Sequence, residues 1–560
     1  MNTDEPFTVN IAEALVERAR ERPNALALVR PIDDPAALKS ATELTFRQLD
    51  DESDRLARGL AKLGIARGTR TVLMVPPSFE FYRLTFALFK LGAVVVLIDP
   101  GMGIKNLGVC LAEAEPEAFI GVMKAHLARI VLGWGKKTIR HHFTVGLRSF
   151  WDWSPWGGWS LNRVHSEGTQ GDPVLTPTTA DETAAILFTS GSTGVAKGVV
   201  YTHGVFAAQV EYLRTLYDIR PGEVDLPTFP LFGLFAPALG MTAVIPWMDF
   251  TRPGRVDPRA IRAPIEIYEI TNLFGSPALL RRVGFAKGTK ADDFKTLRRV
   301  ISAGAPVPAN VLRRWKTLLP PGVQVHTPYG ATEALPVSTI GSDEILGETA
   351  ALTEQGKGVC VGRPVPGMEV RIIRIDDEPI PTWSDDLALS QGTIGEIVVR
   401  GPVVTRSYYN RPASTALHKI ADGNMTWHRM GDVGYLDEKG RIWFCGRKAH
   451  RVGAKFTIPC EGVFNAHPAV LRTALVGVPE AVLCVEIDPT LTRRQRPDRN
   501  ALTLKAFVEE LRALGSVYDH TRDITTFLVH PAFPVDIRHN AKIFREKLAV
   551  WAARRLGRRR

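Results

Sequence analysis

The chain has 560 residues, of which 45% are hydrophobic and 23% are charged. This is the composition of an ordinary globular protein, and it excludes low-complexity and collagen-like chains. The length exceeds what one compact core usually spans, so we expect two or more domains.

The formal net charge of +11 suits polyphosphate or acyl-carrying substrates, and equally nucleic acid or an anionic membrane surface. The sequence has no zinc-type Cys/His spacing and no aromatic RNA-binding motif, so we expect no nucleic-acid partner. Part of the charge lies in an arginine run at the end of the chain. Such a run is typical of a solvated helix end, and a partner or membrane contact is the alternative.

The cysteines and the apolar runs indicate the compartment. Five scattered cysteines without paired spacing predict buried thiols in a reducing compartment: Cys110, Cys360, Cys445, Cys460 and Cys484. The N-terminal residues lack a signal-peptide pattern, and no apolar run reaches the roughly 18 residues that span a bilayer. We therefore expect a cytoplasmic protein without a transmembrane segment, for which peripheral membrane contact stays open.

The first hundred residues alternate between helical and strand patterns. Apolar spacing predicts amphipathic helices over 9–20 and 44–63. A short apolar strand over 71–75 is followed by a helix over 81–91 and a second strand over 93–98. This alternation predicts an α/β architecture with largely parallel strands.

A tryptophan-rich segment between Ala125 and Ala180 interrupts the alternation. It contains Trp134, Trp151, Trp153, Trp156 and Trp159 among basic residues and glycines. We favour an insertion that packs its indoles on the body of the protein. The alternative is an amphipathic surface for a partner protein or a membrane.

The later elements suggest two domains. Apolar runs at 184–188, 300–301 and 323–325 continue the parallel pattern, and 395–401 has the pattern of a strand in a more antiparallel region. A fresh pattern of short strands and helices begins after Gly446-Arg447. We place the boundary there, which gives an N-terminal domain of residues 1–446 and a C-terminal domain of residues 447–560.

A glycine- and hydroxyl-rich loop follows the run at 184–188. Its glycines let backbone N–H groups approach an anion, its hydroxyls donate hydrogen bonds and its lysine supplies a charge. The pattern differs from the common nucleotide-binding glycine motifs. We predict a polyphosphate cradle formed by Thr189, Ser190, Gly191, Ser192, Thr193, Gly194 and Lys197.

This loop resembles the phosphate loop of the adenylate-forming superfamily, which contains acyl-CoA synthetases, luciferases and nonribosomal adenylation domains. Two further segments resemble that family's motifs. The first, with Gly304, Ala305 and Pro306, resembles its adenine-side loop. The second is Tyr329-Gly330-Ala331-Thr332-Glu333. It implies a ring that stacks on adenine, a Thr332 hydroxyl for the α-phosphate and a Glu333 carboxylate for Mg²⁺.

Three more positions complete the resemblance. Asp432 matches the aspartate that binds both ribose hydroxyls, and Arg447 matches the hinge-proximal arginine near the ribose or phosphate. Lys542, in Asn540-Ala541-Lys542-Ile543, matches the lysine that reaches the carboxylate oxygen and the α-phosphate. The resemblance implies a large N-terminal domain whose mixed, largely parallel sheets lie between helices. It also implies a small mobile α+β C-terminal domain, with ATP and Mg²⁺ as cofactors.

Two segments depart from the acyl-CoA synthetase pattern. Those enzymes usually have a Gly-Gly-Glu-like loop after the hinge, whereas this chain has Val452-Gly453-Ala454-Lys455. A glycine pair allows a pantetheine arm to approach closely, and Ala454-Lys455 does not obviously do so. The segment 229–241, where many relatives have a histidine, is apolar throughout. It predicts a pocket for a long apolar chain, with Phe232 and Gly233 at its gate.

Together, the segment 229–241, the Trp-rich segment and the ending Arg538-His539-Asn540-Ala541-Lys542 resemble the OleC-type β-lactone synthetases of bacterial olefin biosynthesis. That resemblance implies a long-chain 2-alkyl-3-hydroxy acid, adenylated at its carboxylate and closed by its own hydroxyl. It also implies association with other olefin-biosynthesis enzymes. His203 and His539 are candidate bases for ring closure. A long-chain acyl-CoA ligase is the second hypothesis, and a non-catalytic acyl- or nucleotide-binding protein is the third.

Overall fold

The computed structural model describes residues 8–31, 41–146, 158–189, 196–535 and 542–557. Strands and helices are numbered in chain order. The described residues form four sheets, two of them large and mostly parallel. The α/β class with largely parallel sheets is therefore confirmed.

The first large sheet has seven strands, all parallel except the last pair. The strands predicted over 71–75, 93–98 and 184–188 lie side by side at its centre as β3, β4 and β8. In spatial order the sheet contains β7 (Trp159–Ser160), β6 (His141–Val145), β5 (Ala118–Val122), β3 (Arg70–Met74), β4 (Val94–Leu97), β8 (Thr183–Phe188) and β9 (Gly198–Thr202).

The second large sheet has nine strands, parallel in the middle and antiparallel at both edges. In spatial order it contains β17 (Arg363–Pro364), β15 (Ala334–Gly341), β14 (Val325–Ala331), β13 (Arg299–Ile301), β12 (Asn272–Phe274), β10 (Val224–Pro227), β11 (Thr242–Val244), β1 (Leu26–Pro31) and β2 (Ala41–Thr45).

Two smaller sheets follow along the chain. The first is antiparallel, as predicted for 395–401, and contains β16 (Val359–Cys360), β22 (Ile442–Arg447), β21 (Met425–Leu436), β19 (Gly395–Arg400) and β18 (Glu369–Ile373), with β20 (Lys419–Asp422) paired to β21. The second contains β23 (Val470–Val478), β24 (Glu480–Ile487) and β25 (Thr526–Val529).

The helices pack on the faces of these sheets. In chain order they are α1 (Glu13–Glu21), α2 (Phe46–Lys62), α3 (Phe79–Lys90), α4 (Ile104–Ala114), α5 (Met123–Leu132), α6 (Leu161–Glu167), α7 (His203–Leu216), α8 (Pro230–Gly233), α9 (Phe235–Ala238), α10 (Arg259–Ile267), α11 (Pro277–Gly284), α12 (Ala309–Lys316), α13 (Ser342–Glu344), α14 (Ala350–Glu354), α15 (Pro412–His418), α16 (Thr457–Asn465), α17 (Ala501–Ser516) and α18 (Arg545–Gly557).

The helix predicted over 44–63 shows how local sequence sets an element. Thr45 caps α2, because its hydroxyl accepts from the Gln48 N–H while the Gln48 side chain accepts from the Thr45 N–H. Leu49, Leu56 and Leu60 bury one face of the helix. The helix predicted from residue 9 begins only at Glu13. The side chain of Asn10 instead accepts from the Ala12 N–H and donates to Phe89 O.

Apolar side chains fill three layers around the two large sheets. One layer lies between the sheets and includes α2 and α3. A second covers the nine-stranded sheet with α10, α11 and α12, and a third covers the seven-stranded sheet with α4 and α5. Separate cores surround the last sheet, β23 to β25. The boundary near Gly446-Arg447 stays a prediction.

The structure bears on two expectations from the composition, the buried cysteines and the packing of the Trp-rich segment. All five cysteines are buried free thiols. In the Trp-rich segment, Trp134 is buried and Trp159 is half-buried, while Trp151, Trp153 and Trp156 lie outside the described residues. Among the described helices, none combines the length and the apolar character required to cross a membrane.

Candidate active site

A cavity of about 1200 Å³ opens where both large sheets end. Ligand pockets usually enclose about 300–1000 Å³, so this cavity has room for more than one small ligand. Its walls include the last residues of β3, β4 and β8 and the turn after β14. Ligands of open α/β sheets characteristically bind at the carboxyl ends of parallel strands.

The two ends of the predicted phosphate loop, Thr189 and Lys197, lie at this edge. Thr189 directly follows β8, and its hydroxyl accepts a hydrogen bond from the Lys197 N–H at 3.2 Å. The Thr189 N–H donates to the Lys197 carbonyl at 3.1 Å, so the two ends of the loop are held together. Both residues line the cavity. Ser190, Gly191, Ser192, Thr193 and Gly194 lie outside the described residues.

Lys197 contacts a histidine that the sequence did not single out. Its ammonium lies 3.2 Å from His418 Nε2, and His418 Nδ1 lies 2.8 Å from Ser414 O. Burial, and then the Lys197 charge, lower the pKa of His418 to about 4. The ring is therefore neutral at pH 7, and this network assigns the proton to Nδ1 and an acceptor role to Nε2. Burial also lowers the pKa of Lys197, while Glu333 opposes that shift.

Thr332 and Glu333 form the turn between β14 and β15. The Tyr408 hydroxyl donates to Glu333 Oε1 at 2.7 Å, and the Thr405 N–H donates to the Glu333 carbonyl at 2.9 Å. The Tyr201 hydroxyl donates to the Thr332 carbonyl at 2.6 Å. These bonds fix the turn so that both side chains line the cavity.

Asp432 and Arg447 form an ion pair at the cavity wall, in which Asp432 is buried and Arg447 lines the cavity. Asp432 Oδ1 lies 3.0 Å from Arg447 Nη1, and the Tyr329 hydroxyl donates to Asp432 Oδ2 at 2.7 Å. No described residue gives Oδ1 a well-directed hydrogen bond. Burial raises the pKa of Asp432, against the Arg447 charge and the Tyr329 bond. A carboxylate held in this way can still accept from hydroxyls of a ligand.

The structure brings Lys542 to the same cavity, almost a hundred residues after Arg447. Lys542 lines the cavity and is close enough to Asp432 to lower the pKa of that carboxyl. It lies three residues before Arg545, the first residue of α18, and Arg545 pairs with the buried Glu461 of α16. This ion pair attaches the Lys542 segment to the C-terminal core.

The predicted adenine-side residues occupy different positions around the wall. Gly304 lines the cavity with φ +95°, a conformation that favours glycine, whereas Ala305 and Pro306 are not among its lining residues. Gly330 lines it where a Cβ would meet Ala334 O at 2.4 Å. Ser302 Oγ is buried and finds no hydrogen-bond partner within the described ranges.

The apolar segment 229–241 forms α8, α9 and one wall of the cavity. Phe232 stacks on Phe274 with ring centroids 4.1 Å apart, and Phe229 and Phe235 flank it. Gly233 is buried but does not line the cavity. A Cβ there would lie 2.2 Å from the Tyr82 hydroxyl, so glycine permits close packing behind the wall.

Of the two histidines proposed as bases for ring closure, the structure describes only His203. His203 is buried outside the cavity lining, and its Nδ1 accepts from the Ile11 N–H at 3.2 Å. His539 lies outside the described residues. Tyr408, His418 and Lys419 were missed, because their partners are far away in sequence and no local motif marks them.

Similarity to known proteins agrees with this geometry. The AMP-binding enzyme family matches residues 15–409. The chain is 51% identical to the olefin β-lactone synthetase of Stenotrophomonas maltophilia (strain K279a), covering 98% of this chain and 99% of that protein. It is 49% identical to the olefin β-lactone synthetase of Xanthomonas campestris pv. campestris, covering 97% of both.

A solved structure shares the fold. The structure of ATP-bound MatB from Rhodopseudomonas palustris superposes with a TM-score of 0.76 at 20% sequence identity, covering 98% of this chain and 99% of that one.

Proposed function

The chain belongs to the AMP-binding enzyme family, and from this premise we propose that it activates a long-chain 2-alkyl-3-hydroxy acid and closes it to a β-lactone. One observation carries the proposal. Thr189, Lys197, Glu333, Arg447 and Lys542 line a single cavity whose remaining wall is largely apolar. Two relatives at about half identity over nearly their whole length are olefin β-lactone synthetases.

The residues around the polar end of the cavity, where Thr189, Lys197, Glu333, Arg447 and Lys542 lie, fit ATP. Asp432 Oδ1 and Ser302 Oγ are buried polar atoms without a well-directed hydrogen bond from any described residue, and a nucleotide could supply one. We assign Asp432 to the ribose hydroxyls, and Lys197 with the Thr189 loop to the polyphosphate. Lys197 is partly desolvated, and its ammonium contacts the neutral His418 ring and lies 4.9 Å from the centre of the Tyr408 ring, so an incoming anion would offset the cost of burying its charge.

The Glu333 carboxylate at this end fits Mg²⁺. Within the described ranges, no three His, Cys, Asp or Glu side chains gather into a preformed metal site. Mg²⁺ is commonly bound by one or two carboxylates together with substrate phosphates. Glu333 would hold it, oriented by the Tyr408 hydroxyl. When bound, Mg²⁺ neutralises phosphate charge.

The first half-reaction follows from the charges. The substrate carboxylate and the ATP phosphates repel each other, so cations must hold them together. Lys542 is assigned to the carboxylate oxygen and the α-phosphate, and the Thr332 hydroxyl to the α-phosphate. The carboxylate forms a bond to the α-phosphorus as the bond to pyrophosphate breaks, which leaves an acyl adenylate.

The second half-reaction needs no external nucleophile. The β-hydroxyl oxygen attacks the acyl carbon, loses its proton, and the bond from that carbon to the AMP oxygen breaks. A four-membered lactone and AMP result. A tethered hydroxyl has a high effective concentration, which offsets part of the ring strain.

The loop after Arg447 supports this acceptor over coenzyme A. Val452 and Lys455 exchange backbone hydrogen bonds of 3.1 and 3.0 Å around a tight turn. The Lys455 ammonium donates to His520 O at 3.1 Å and also to Asp523. The turn is therefore held by its own side chains at the position where acyl-CoA synthetases usually have glycines.

The test compares acceptors directly. Purified enzyme is incubated with ATP, Mg²⁺ and a long-chain 2-alkyl-3-hydroxy acid, with and without CoA, and the products are separated by mass spectrometry. We expect AMP and β-lactone at equal rates in both reactions. Strict dependence on CoA with a thioester product would support the acyl-CoA ligase instead.

A further inference from the structure

The cavity passes around the edge of the seven-stranded sheet and contacts both of its faces. Adjacent residues of a strand point to opposite faces. Nevertheless, both members of three adjacent pairs line the cavity: Leu73 and Met74, Leu97 and Ile98, and Leu187 and Phe188. These pairs lie at the ends of three neighbouring parallel strands: the last two residues of β3 and of β8, and the last residue of β4 with the residue that follows it.

The apolar cores confirm that the two members of each pair face different layers. Leu73 and Leu187 belong to the core between the two large sheets, and Leu97 packs against it. Ile98 and Phe188 belong to the core beneath α4 and α5, and Met74 packs against that core. The cavity therefore has two arms, which meet at the carboxyl edge of the sheet.

The first arm lies on the face covered by α3 and α7. Its wall includes Phe86, Phe206, Val210, Phe232 and Phe274. These aromatic and aliphatic side chains leave an apolar channel next to the segment 229–241. This arm suits a long alkyl chain.

The second arm lies on the opposite face, between the sheet and the helices α4 and α5. Leu107 of α4, Ala125 and Ala128 of α5, and the buried Trp134 line it. Ile104 of α4 also lines it and is 62% exposed, so this arm reaches the protein surface. A second long alkyl chain would fit here and could extend beyond the arm.

The reacting groups lie where the arms meet. Thr189 directly follows β8, beside the pair Leu187 and Phe188, and Lys197 directly precedes the edge strand β9. A substrate whose carboxylate binds at this junction can send one chain into each arm only if two chains branch near the carboxylate. A straight-chain acid would fill one arm and leave the other, mostly apolar arm to water.

We propose that the two arms hold the two alkyl chains of the substrate separately, one on each face of the seven-stranded sheet. The chain on the α-carbon and the chain on the β-carbon then diverge at adjacent carbons. This assignment rests on the proposed function and adds a structural basis for selecting an acid with two chains.

The test narrows one arm at a time. Val210→Phe fills the first arm from α7, and Ala128→Phe fills the second from α5. Val131→Phe is the matched control, because Val131 lies on the same helix as Ala128, is 73% exposed and does not line the cavity. Each protein is assayed for lactone formation with acids that carry a long chain on both carbons, a methyl group on the α-carbon, or a methyl group on the β-carbon.

The readout is the ratio of kcat/KM for a long chain to kcat/KM for a methyl group at each carbon. We expect each arm variant to lower this ratio at least about tenfold at one carbon only, since several methylenes lose apolar contact. The two variants should act on different carbons, and Val131→Phe on neither. The proposal is overturned if both variants penalise the same chain, or if either penalty is independent of chain length.

Two controls separate other failures. If wild-type enzyme forms no lactone from any of these acids, the proposed function fails rather than the assignment of the arms. If the thermal midpoint of Ala128→Phe shows that this variant folds poorly, Ala128→Leu replaces it. We then expect a dependence on chain length at the same single carbon, with a smaller decrease in the kcat/KM ratio.

Discussion

Several charged side chains at the polar end are buried with incomplete compensation. The Lys197 ammonium contacts a neutral histidine, and the Lys419 ammonium donates to neutral oxygens of Thr405. Asp432 keeps one carboxylate oxygen without a well-directed hydrogen bond from any described residue. Burying charge in this way destabilises the empty protein. A bound anionic nucleotide with free hydroxyls would supply the missing partners. The proposed nucleotide site would therefore bind its ligand at the expense of the stability of the protein.

The first prediction at the residue scale concerns Lys542. Lys542→Ala should lower the rate of ATP–pyrophosphate exchange by at least about 100-fold, because a cation aimed at the developing charge is lost. Lys547→Ala is the control, since Lys547 lies in the same segment, is exposed and contacts the Phe544 ring. Equal exchange rates in Lys542→Ala and wild type would refute the assignment.

The second concerns Asp432. Asp432→Asn should raise the KM for ATP by about tenfold, because hydrogen bonds to a charged acceptor are stronger than those to a neutral one. It should also reduce the preference for ATP over 2′-deoxy-ATP. Tyr329→Phe removes the hydrogen bond to Asp432 but keeps the carboxylate, so its preference should stay closer to wild type. An unchanged preference in Asp432→Asn would mean that the carboxylate does not bind the ribose.

At the scale of elements, the strand β20 starts with a buried lysine. The Lys419 ammonium donates to Thr405 O and lies 5.9 Å from the centre of the Tyr408 ring. Burial is the main reason that the pKa of Lys419 falls to about 7, from an ordinary value of 10.5. Lys419 thus ties β20 to the segment that orients Glu333, at an energetic cost that depends on pH.

The sign of this dependence can be tested. Between pH 7 and about 10 the unfolded chain binds a proton at Lys419 that the folded protein has lost, so stability should rise with pH, by at most about 1.4 kcal/mol per pH unit. Lys419→Met removes this contribution. The thermal midpoint of wild type, relative to the variant, should therefore increase from pH 7 to pH 9. The exposed Lys505→Met should behave as wild type, and parallel profiles for all three proteins would contradict the assignment.

Elements whose apolar pattern is local were predictable from the sequence. The runs that became β3, β4 and β8 are short, apolar and bounded by turns, and α2 has both a capping box and a buried stripe. The segment 229–241 predicted an apolar pocket wall but not the two short helices, α8 and α9, that meet at Leu234. The pair Lys197 and His418 was unpredictable, because the two residues are 221 positions apart and neither lies in a pattern that indicates contact.

At the scale of the whole molecule, functional side chains from distant segments of the chain come together at the edge of the two large sheets. Thr189 follows β8 of the seven-stranded sheet, and Glu333 lies in the turn after β14 of the nine-stranded sheet. Arg447 is the last residue of β22 in the antiparallel sheet, and Lys542 precedes α18, which packs in the C-terminal core. The order of motifs and their resemblance to a family predicted this convergence. The sequence could not predict that the cavity reaches both faces of the seven-stranded sheet, because this depends on how the ends of β3, β4 and β8 align.

The central claim is that the carboxylate is activated and the β-hydroxyl closes the ring, and oxygen tracing tests it most directly. The acid is prepared with ¹⁸O in both carboxylate oxygens, and the products are analysed by mass spectrometry. We predict one labelled oxygen in AMP, one in the lactone carbonyl and none in pyrophosphate. A lactone that keeps both labelled oxygens, with unlabelled AMP, would contradict the account, because it would mean that the hydroxyl had been activated and displaced by the carboxylate.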